Sequence, residues 1–74
     1  MTYKNTLLTV VVAKEVEGTL RIVDTRTLCV NSKEELESFI DDRLRILSYD
    51  NVKFELRIWT DEEYPALVYS KTSY

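Results

Sequence analysis

The chain has 74 residues and a net charge of −3, and it contains no histidine, one cysteine and one glycine. This composition excludes an imidazole base or metal ligand, a cysteine-based zinc site, an internal disulfide and a glycine-rich phosphate loop. A hydrophobic content of 45% is typical of a folded protein, and the length suits one domain. We therefore expect a single domain over residues 1–74 that is not an enzyme and holds no metal or cofactor.

The ten lysines and arginines are scattered singly, whereas nucleic-acid-binding domains usually gather them into a patch or stripe. The charge therefore argues against direct nucleic-acid binding and permits a partner with a basic surface. A simpler interpretation stays open, since acidity by itself keeps a small protein in solution. No apolar run approaches the ~20 residues that span a bilayer, no signal-peptide cleavage site is present, and the lone Cys29 suits a reducing compartment. We expect a cytoplasmic protein with no membrane contact.

Residues 7–16 and 20–30 are predicted to form a β-hairpin. Apolar residues of the first strand recur at every second position over residues 8–12, which is typical of a strand with one buried face. The predicted turn lies at Glu17-Gly18, because glycine adopts positive φ freely.

The second strand of this hairpin has an interrupted pattern. Its apolar residues share one phase and are Leu20, Ile22, Leu28 and Val30. Asp24 and Arg26 fall in the same phase, and a bulge or bend near residues 24–26 would explain them. Alternatively, the strand ends there and resumes. Cys29 is expected to be a small buried hydrophobe.

Residues 33–47 are predicted to form a helix. Ser32 precedes Glu35 by three residues, which is the spacing of a capping box. In that motif Ser32 accepts the Glu35 N–H, and the Glu35 carboxylate accepts the Ser32 N–H. Apolar residues then recur every three or four positions, at Leu36, Phe39, Ile40, Leu44 and Leu47.

Arg43 interrupts the apolar face of this helix. In one interpretation its stem lies over Phe39 or Leu47, and the charge reaches solvent at the helix end. The other interpretation is an ion pair with a buried carboxylate such as Asp50 or Glu55, or a contact with a second subunit.

Two further strands are predicted after the helix. Residues 52–58 alternate strictly, and residues 66–71 form a short last strand with Leu67 and Tyr69 on one side, before a frayed end at residues 72–74. The order β-β-α-β-β indicates an α+β domain in which one amphipathic helix packs on one face of a mainly antiparallel four-stranded sheet. The expected inward set is Leu8, Val10, Val12, Leu20, Ile22, Leu36, Phe39, Ile40, Leu44, Leu47, Phe54, Leu56 and Ile58.

The outward face of this sheet is a candidate contact surface. The residues expected to share it are Thr9, Val11, Ala13, Arg21, Val23, Glu55, Arg57 and Trp59. Four of them, Val11, Val23, Arg57 and Trp59, are the candidate contact residues. Trp and Arg are common at binding hot spots, and an apolar patch on a small domain usually meets a partner. Alternatively, the C-terminal segment covers Trp59 with Val68 or Tyr69.

Asp61, Glu62 and Glu63 form an acidic loop between Trp59 and Tyr64. Carboxylates beside aromatic rings hold an arginine by pairing and stacking together. The loop is therefore a second candidate partner-binding element. The alternative is a solvated loop with Tyr64 packed on the domain's own core.

Residues 27–40 combine a strand, a serine cap, a glutamate-rich first turn and then leucine and aromatic anchors, in the sequence Thr27-Leu28-Cys29-Val30-Asn31-Ser32-Lys33-Glu34-Glu35-Leu36-Glu37-Ser38-Phe39-Ile40. This stretch resembles the strand-to-helix step of small acidic phage-encoded proteins, some of which are anti-CRISPR or other host-directed inhibitors. The resemblance covers about a fifth of the chain and implies no catalytic residue. It implies an inhibitor or other protein-binding module. Together with the acidic composition, this predicts a non-enzymatic module that covers a basic surface of a larger protein in the host cytoplasm. The other interpretation is a structural or homo-oligomeric subunit, such as a homodimer, that associates through the open sheet face or an edge strand.

Overall fold

The computed structural model describes residues 3–73, and within them the chain forms one sheet and one helix. The elements in chain order are β1 (Thr6–Val16), β2 (Thr19–Val30), α1 (Lys33–Ser48), β3 (Phe54–Thr60) and β4 (Leu67–Ser73). The spatial order of the strands is β2-β1-β3-β4, and every neighbouring pair is antiparallel. The predicted α+β class and the β-β-α-β-β order are confirmed.

The core lies between α1 and the two central strands. Its fully buried side chains include Leu8 and Val10 of β1 and Leu56 and Ile58 of β3. Burying one such side chain stabilises the fold by about 1.5–3 kcal/mol. The helix contributes Leu36, Ile40 and Leu47, with Phe39 and Leu44 partly buried beside them. The inward set predicted for β1, α1 and β3 is therefore confirmed.

The turn between β1 and β2 falls where it was predicted. Val16 pairs with Thr19 across it, and Glu17 and Gly18 both have positive φ, at 53° and 82°. Two positive φ values in a two-residue loop define a type I′ turn, whose twist matches that of the flanking strands.

The start of α1 confirms one half of the predicted capping box and corrects the other. The Glu35 N–H donates to Ser32 Oγ at 3.1 Å, as expected. The Glu35 carboxylate, however, accepts from the Asn31 N–H at 2.8 Å rather than from Ser32. Asn31 in turn accepts the Asn5 N–H through its side chain at 3.0 Å, so this cap also anchors the beginning of β1.

A bulge in β2 corrects the predicted sides of its first half. Val12 pairs with Asp24 and Ala13 with Ile22, so Val23 is the extra residue, just before the predicted interruption. Between the turn and this bulge, the side chains of β2 alternate in the opposite phase to those of the rest of the strand. Ile22 consequently faces away from the helix and is 69% exposed, and Leu20 is exposed with it. The prediction that these two residues point inward was wrong.

A second bulge changes the phase of β4. Ile58 pairs with Tyr69 but Trp59 pairs with Leu67, which leaves Val68 as the extra residue. Leu67 therefore lies beside Trp59, while Val68 and Tyr69 pack against the core. The expectation that Leu67 and Tyr69 share a side was wrong.

The end of β4 and Cys29 also differ from expectation. Strand β4 continues to Ser73, because Thr72 and Ser73 pair with β3, so neither of these residues is frayed. Tyr74 lies outside the described residues. Cys29 is exposed rather than buried, since it pairs with Leu7 on the face away from the helix.

Arg43 is half-buried, and its guanidinium lies over an aromatic ring. Its guanidinium carbon lies 5.2 Å from the centroid of the Phe39 ring, which is cation–π distance. The carboxylates considered as partners are paired elsewhere, Asp50 with Lys14 and Glu55 with Arg57. The contact with Phe39 expected for the Arg43 side chain is present, but the guanidinium rather than the stem makes it, and the ion pair with Asp50 or Glu55 is wrong. The contact of Arg43 with a second subunit stays a prediction.

Candidate functional site

The sheet face opposite α1, here called the open face, carries a line of apolar side chains that crosses all four strands. Leu67 lies directly opposite Trp59, and the next members are diagonal neighbours on adjacent strands. Diagonal neighbours lie about 7–8 Å apart, within reach of an aromatic or branched side chain. We call this line the apolar diagonal, and its members are Leu67, Trp59, Val11 and Ile22.

The two bulges are responsible for both ends of the apolar diagonal. Side chains alternate between faces along a regular strand. Without the extra residue Val23, Ile22 would lie on the helix side with Asp24, and without Val68, Leu67 would lie on that side with Tyr69. Each bulge thus turns an apolar residue outward, where Ile22 is 69% and Leu67 is 50% exposed. The bulges therefore increase the apolar area of the open face.

Three of the four candidate contact residues predicted for this surface are brought together there. Val11 lies opposite Arg57 in neighbouring strands, and Trp59 lies two residues further along. Arg57 is exposed and pairs with Glu55 at 2.9 Å, so its charge is balanced locally. Trp59 is only half-buried, and neither Val68 nor Tyr69 covers it.

Val23 does not belong to the open face. It lines a groove of about 430 Å³ on the helix side, together with Val12, Ile46 and Leu47. The predictions that Val23 and Arg21 share a side with Trp59 were wrong, because the bulge at Val23 interrupts the alternation on which they relied. Arg21 pairs with Lys14, which lies in the phase of buried Val12.

The acidic loop between β3 and β4 is closed at its base by Thr60. The Thr60 N–H donates to the Ala66 carbonyl at 2.9 Å, and the Ala66 N–H donates to Thr60 Oγ1 at 2.8 Å. Thr60 is buried and Ala66 is exposed, so the bond to the Thr60 hydroxyl is partly shielded from competing water. This closure determines where residues 61–65 project.

Asp61 is directed toward the open face by two further contacts. Its N–H donates to the Leu7 carbonyl at 3.1 Å, and one of its carboxylate oxygens accepts from Thr9 Oγ1 at 3.4 Å. Together with Trp59 and Pro65, these side chains line a cavity of about 420 Å³. We call it the corner pocket, and it is lined by Thr9, Trp59, Thr60, Asp61 and Pro65.

The corner pocket joins two elements that were predicted separately, Trp59 and the acidic loop. Glu62 and Glu63 lie on the exposed rim of the loop. Tyr64 is 83% exposed and neither lines the pocket nor packs on the core, so the alternative in which it packs on the core is wrong. Thr9 was correctly expected on this face but was not among the candidate contact residues, and Pro65 was not assigned to a site.

The carboxylates of the acidic loop carry uncompensated charge. Within residues 3–73, no lysine or arginine forms a salt bridge with Asp61, Glu62 or Glu63. By contrast, Glu55 pairs with Arg57 and also accepts a hydrogen bond from Thr72 at 3.3 Å. This end of the open face is therefore acidic, and the middle is charge-balanced.

Comparisons with known proteins found no relative of this chain. The chain matches no protein-family model, no curated protein and no solved structure. Within the described part of the chain, no three cysteine or carboxylate side chains converge as metal ligands would. No helix among residues 3–73 has both the length and the apolar character needed to cross a bilayer.

Proposed function

We propose that the protein is a non-enzymatic binding module that acts as an inhibitor by covering a basic surface of a larger protein. The observation that carries this proposal is the placement of the apolar diagonal beside the acidic corner pocket on one face. An apolar centre supplies contact area, and an adjoining charged rim supplies orientation and partner selection.

The apolar diagonal supports a contact function because its end residues, Ile22 and Leu67, are exposed and do not belong to the core. Strand β2 already has a residue on the helix side for the core, Val30, and Ile22 adds nothing to that core. Trp59 in this line and the neighbouring Arg57 are residue types enriched at interface hot spots. Exposed patches of this kind on small domains usually mark an interaction site.

The charge of the open face favours a basic partner. The loop carboxylates have no cationic partner among residues 3–73, and Arg57 is neutralised by Glu55. A positively charged surface would meet this acidic end without repulsion from the middle of the face. The lone Cys29 and the acidic composition agree with a cytoplasmic inhibitor of the phage-encoded kind.

The second candidate function is self-association through the same open face. Pairing of edge strands is disfavoured, because both edge strands carry charged side chains on the helix side of the sheet. These residues are Asp24 and Arg26 in β2, and Lys71, which pairs with buried Leu56, in β4. Inward charges and bulges are established protection against edge pairing. The remaining homodimer is a face-to-face one that buries the apolar diagonal.

Two matched variants separate a heterologous partner from a homodimer. Ile22→Ser removes an apolar side chain from the open face, and Ile46→Ser removes the same side chain from the exposed surface of α1. Light scattering on the purified protein reports self-association, and chemical cross-linking in host extract with mass spectrometry reports a partner. A monomer whose cross-linked partner is lost in Ile22→Ser and retained in Ile46→Ser supports the proposal.

Three outcomes contradict the leading proposal. A dimer in the wild type that becomes a monomer in Ile22→Ser supports self-association instead. Equal cross-linking by both variants removes the open face from the interface. Binding that does not weaken as salt rises argues against the acidic contribution, because exposed charge pairs are screened within about 8–10 Å at physiological ionic strength.

A further inference from the structure

We infer that the corner pocket binds one arginine side chain of the partner and discriminates against lysine. This inference rests on the proposed function and specifies its contact at one end of the open face. Three features carry it, namely an aromatic ring without a cation, a positioned carboxylate and a cavity between them.

The Trp59 indole is the aromatic wall of the pocket. Within residues 3–73, the one cation that stacks on an aromatic ring is Arg43, and it lies over Phe39. Arg57, two residues before Trp59 on the same face, is held by Glu55 instead. The indole therefore remains available to a cation from outside, and tryptophan is the best aromatic partner for one.

The Asp61 carboxylate is the anionic wall of the pocket. The bond to Leu7 holds the Asp61 backbone, and a long, exposed hydrogen bond from Thr9, at 3.4 Å, orients one carboxylate oxygen. A carboxylate has about four acceptor sites, so the bond from Thr9 leaves sites on both oxygens. A carboxylate held in this way needs little further ordering when a ligand binds.

The combination of indole and carboxylate favours a guanidinium over an ammonium. A guanidinium is planar, so it stacks on an indole while its edge donates two parallel hydrogen bonds to a carboxylate. A lysine ammonium is compact and strongly hydrated, and it cannot use the ring face and the carboxylate in that way. Glu62 and Glu63 on the rim attract either cation, so the selectivity depends on Trp59 and Asp61.

NMR with small blocked amino acids tests this inference without a known partner. The probes are N-acetyl-arginine methylamide and N-acetyl-lysine methylamide, added to the full isotope-labelled chain at equal ionic strength. Trp59 is the single tryptophan, so its indole N–H signal reports on the pocket directly. We expect the arginine probe to shift this signal and the Asp61 and Ala66 amides, and the lysine probe to shift them several-fold less.

Two conservative variants complete the test. Asp61→Asn keeps an acceptor for Thr9 but removes the charge, and we expect it to weaken arginine binding roughly tenfold, as hydrogen bonds to charged groups predict. Glu17→Gln removes an exposed carboxylate at the far hairpin turn and should leave the titration unchanged. Equal shifts from both probes, or shifts spread over the acidic residues of α1, overturn the inference.

The outcomes for the inference and for the proposed function are separable. If Asp61→Asn still cross-links to the partner as the wild type does while Ile22→Ser does not, the open face binds a partner and the arginine contact is wrong. If Ile22→Ser cross-links normally, the proposed surface is wrong whatever the small probes show.

Discussion

Thr60 and Ala66 are joined by two hydrogen bonds, one from each backbone N–H, and the second uses the Thr60 hydroxyl as its acceptor. The acidic loop is thus a closed loop of fixed base rather than a free connection between β3 and β4. Its rigidity keeps Asp61 beside Trp59, and that proximity forms the corner pocket.

Thr60→Val should loosen this loop with little change in side-chain volume. It removes the acceptor of the Ala66 N–H, and because Ala66 is exposed, the loss of this hydrogen bond should cost about 0.5–1.5 kcal/mol. Urea denaturation measures the loss, and hydrogen exchange of the Ala66 amide measures the local opening. Thr60→Ser is the control, because it keeps the hydroxyl. Unchanged exchange at Ala66 in Thr60→Val would show that the loop is closed by other contacts.

Ser32→Ala and Asn31→Ala should both reduce stability. Loss of the Ser32 acceptor removes the cap at Glu35 and costs about 1 kcal/mol. From sequence spacing alone, Asn31→Ala is expected to cost much less, but the Asn31 side chain holds the Asn5 N–H. We therefore expect Asn31→Ala to cost about 0.5–1.5 kcal/mol. Thermal melts give both values, and a neutral Asn31→Ala would mean that this contact contributes nothing to stability.

The helix-to-sheet contact is expected to carry much of the stability. Leu36→Ala should cost about 2–5 kcal/mol, because Leu36 is buried against the central strands. Ile46→Ala on the exposed side of the same helix should stay within about 1 kcal/mol. Chemical denaturation of the pair decides the matter, and similar losses at both positions would mean that the buried face of α1 is misassigned.

The helix and the central strands were predictable because their side-chain periods are uninterrupted. Leu36 and Ile40 keep the helical period, and Leu56 and Ile58 keep the period of two, so their sides follow from the sequence. The edge strands were not predictable in the same way. One extra residue, Val23 or Val68, reverses the face of everything before it, and local composition does not say which residue a bulge will contain.

The candidate site was predictable only in part for a related reason. Trp59 and Asp61 are close in sequence, so their proximity was visible from the start. Thr9 is 52 positions from Asp61, and the contact between them depends on the register of β1 with β3. The alternation that placed Val11 outward also placed Thr9 outward, and this pattern was the one sequence feature that indicated Thr9 on the same face as Trp59.

The last prediction is that Arg57→Ala combined with Trp59→Ala removes binding without unfolding the domain. Both side chains lie on the open face, and Trp59 is half-buried opposite Leu67 and outside the buried core cluster. We expect a loss of about 1–2 kcal/mol in stability, which is a minor share of the roughly 5–15 kcal/mol of a small domain.

The matched control for this double variant is Leu56→Ala on the same strand. Leu56 lies between Glu55 and Arg57 in the sequence, but its side chain is on the opposite face of the sheet, where it is fully buried. Its truncation should therefore cost about 2–5 kcal/mol. Denaturation ranks the two variants, and light scattering with cross-linking reports whether a contact is lost. If the Arg57 and Trp59 variant unfolds as readily as Leu56→Ala, Trp59 belongs to the core and the open face is not a free contact surface.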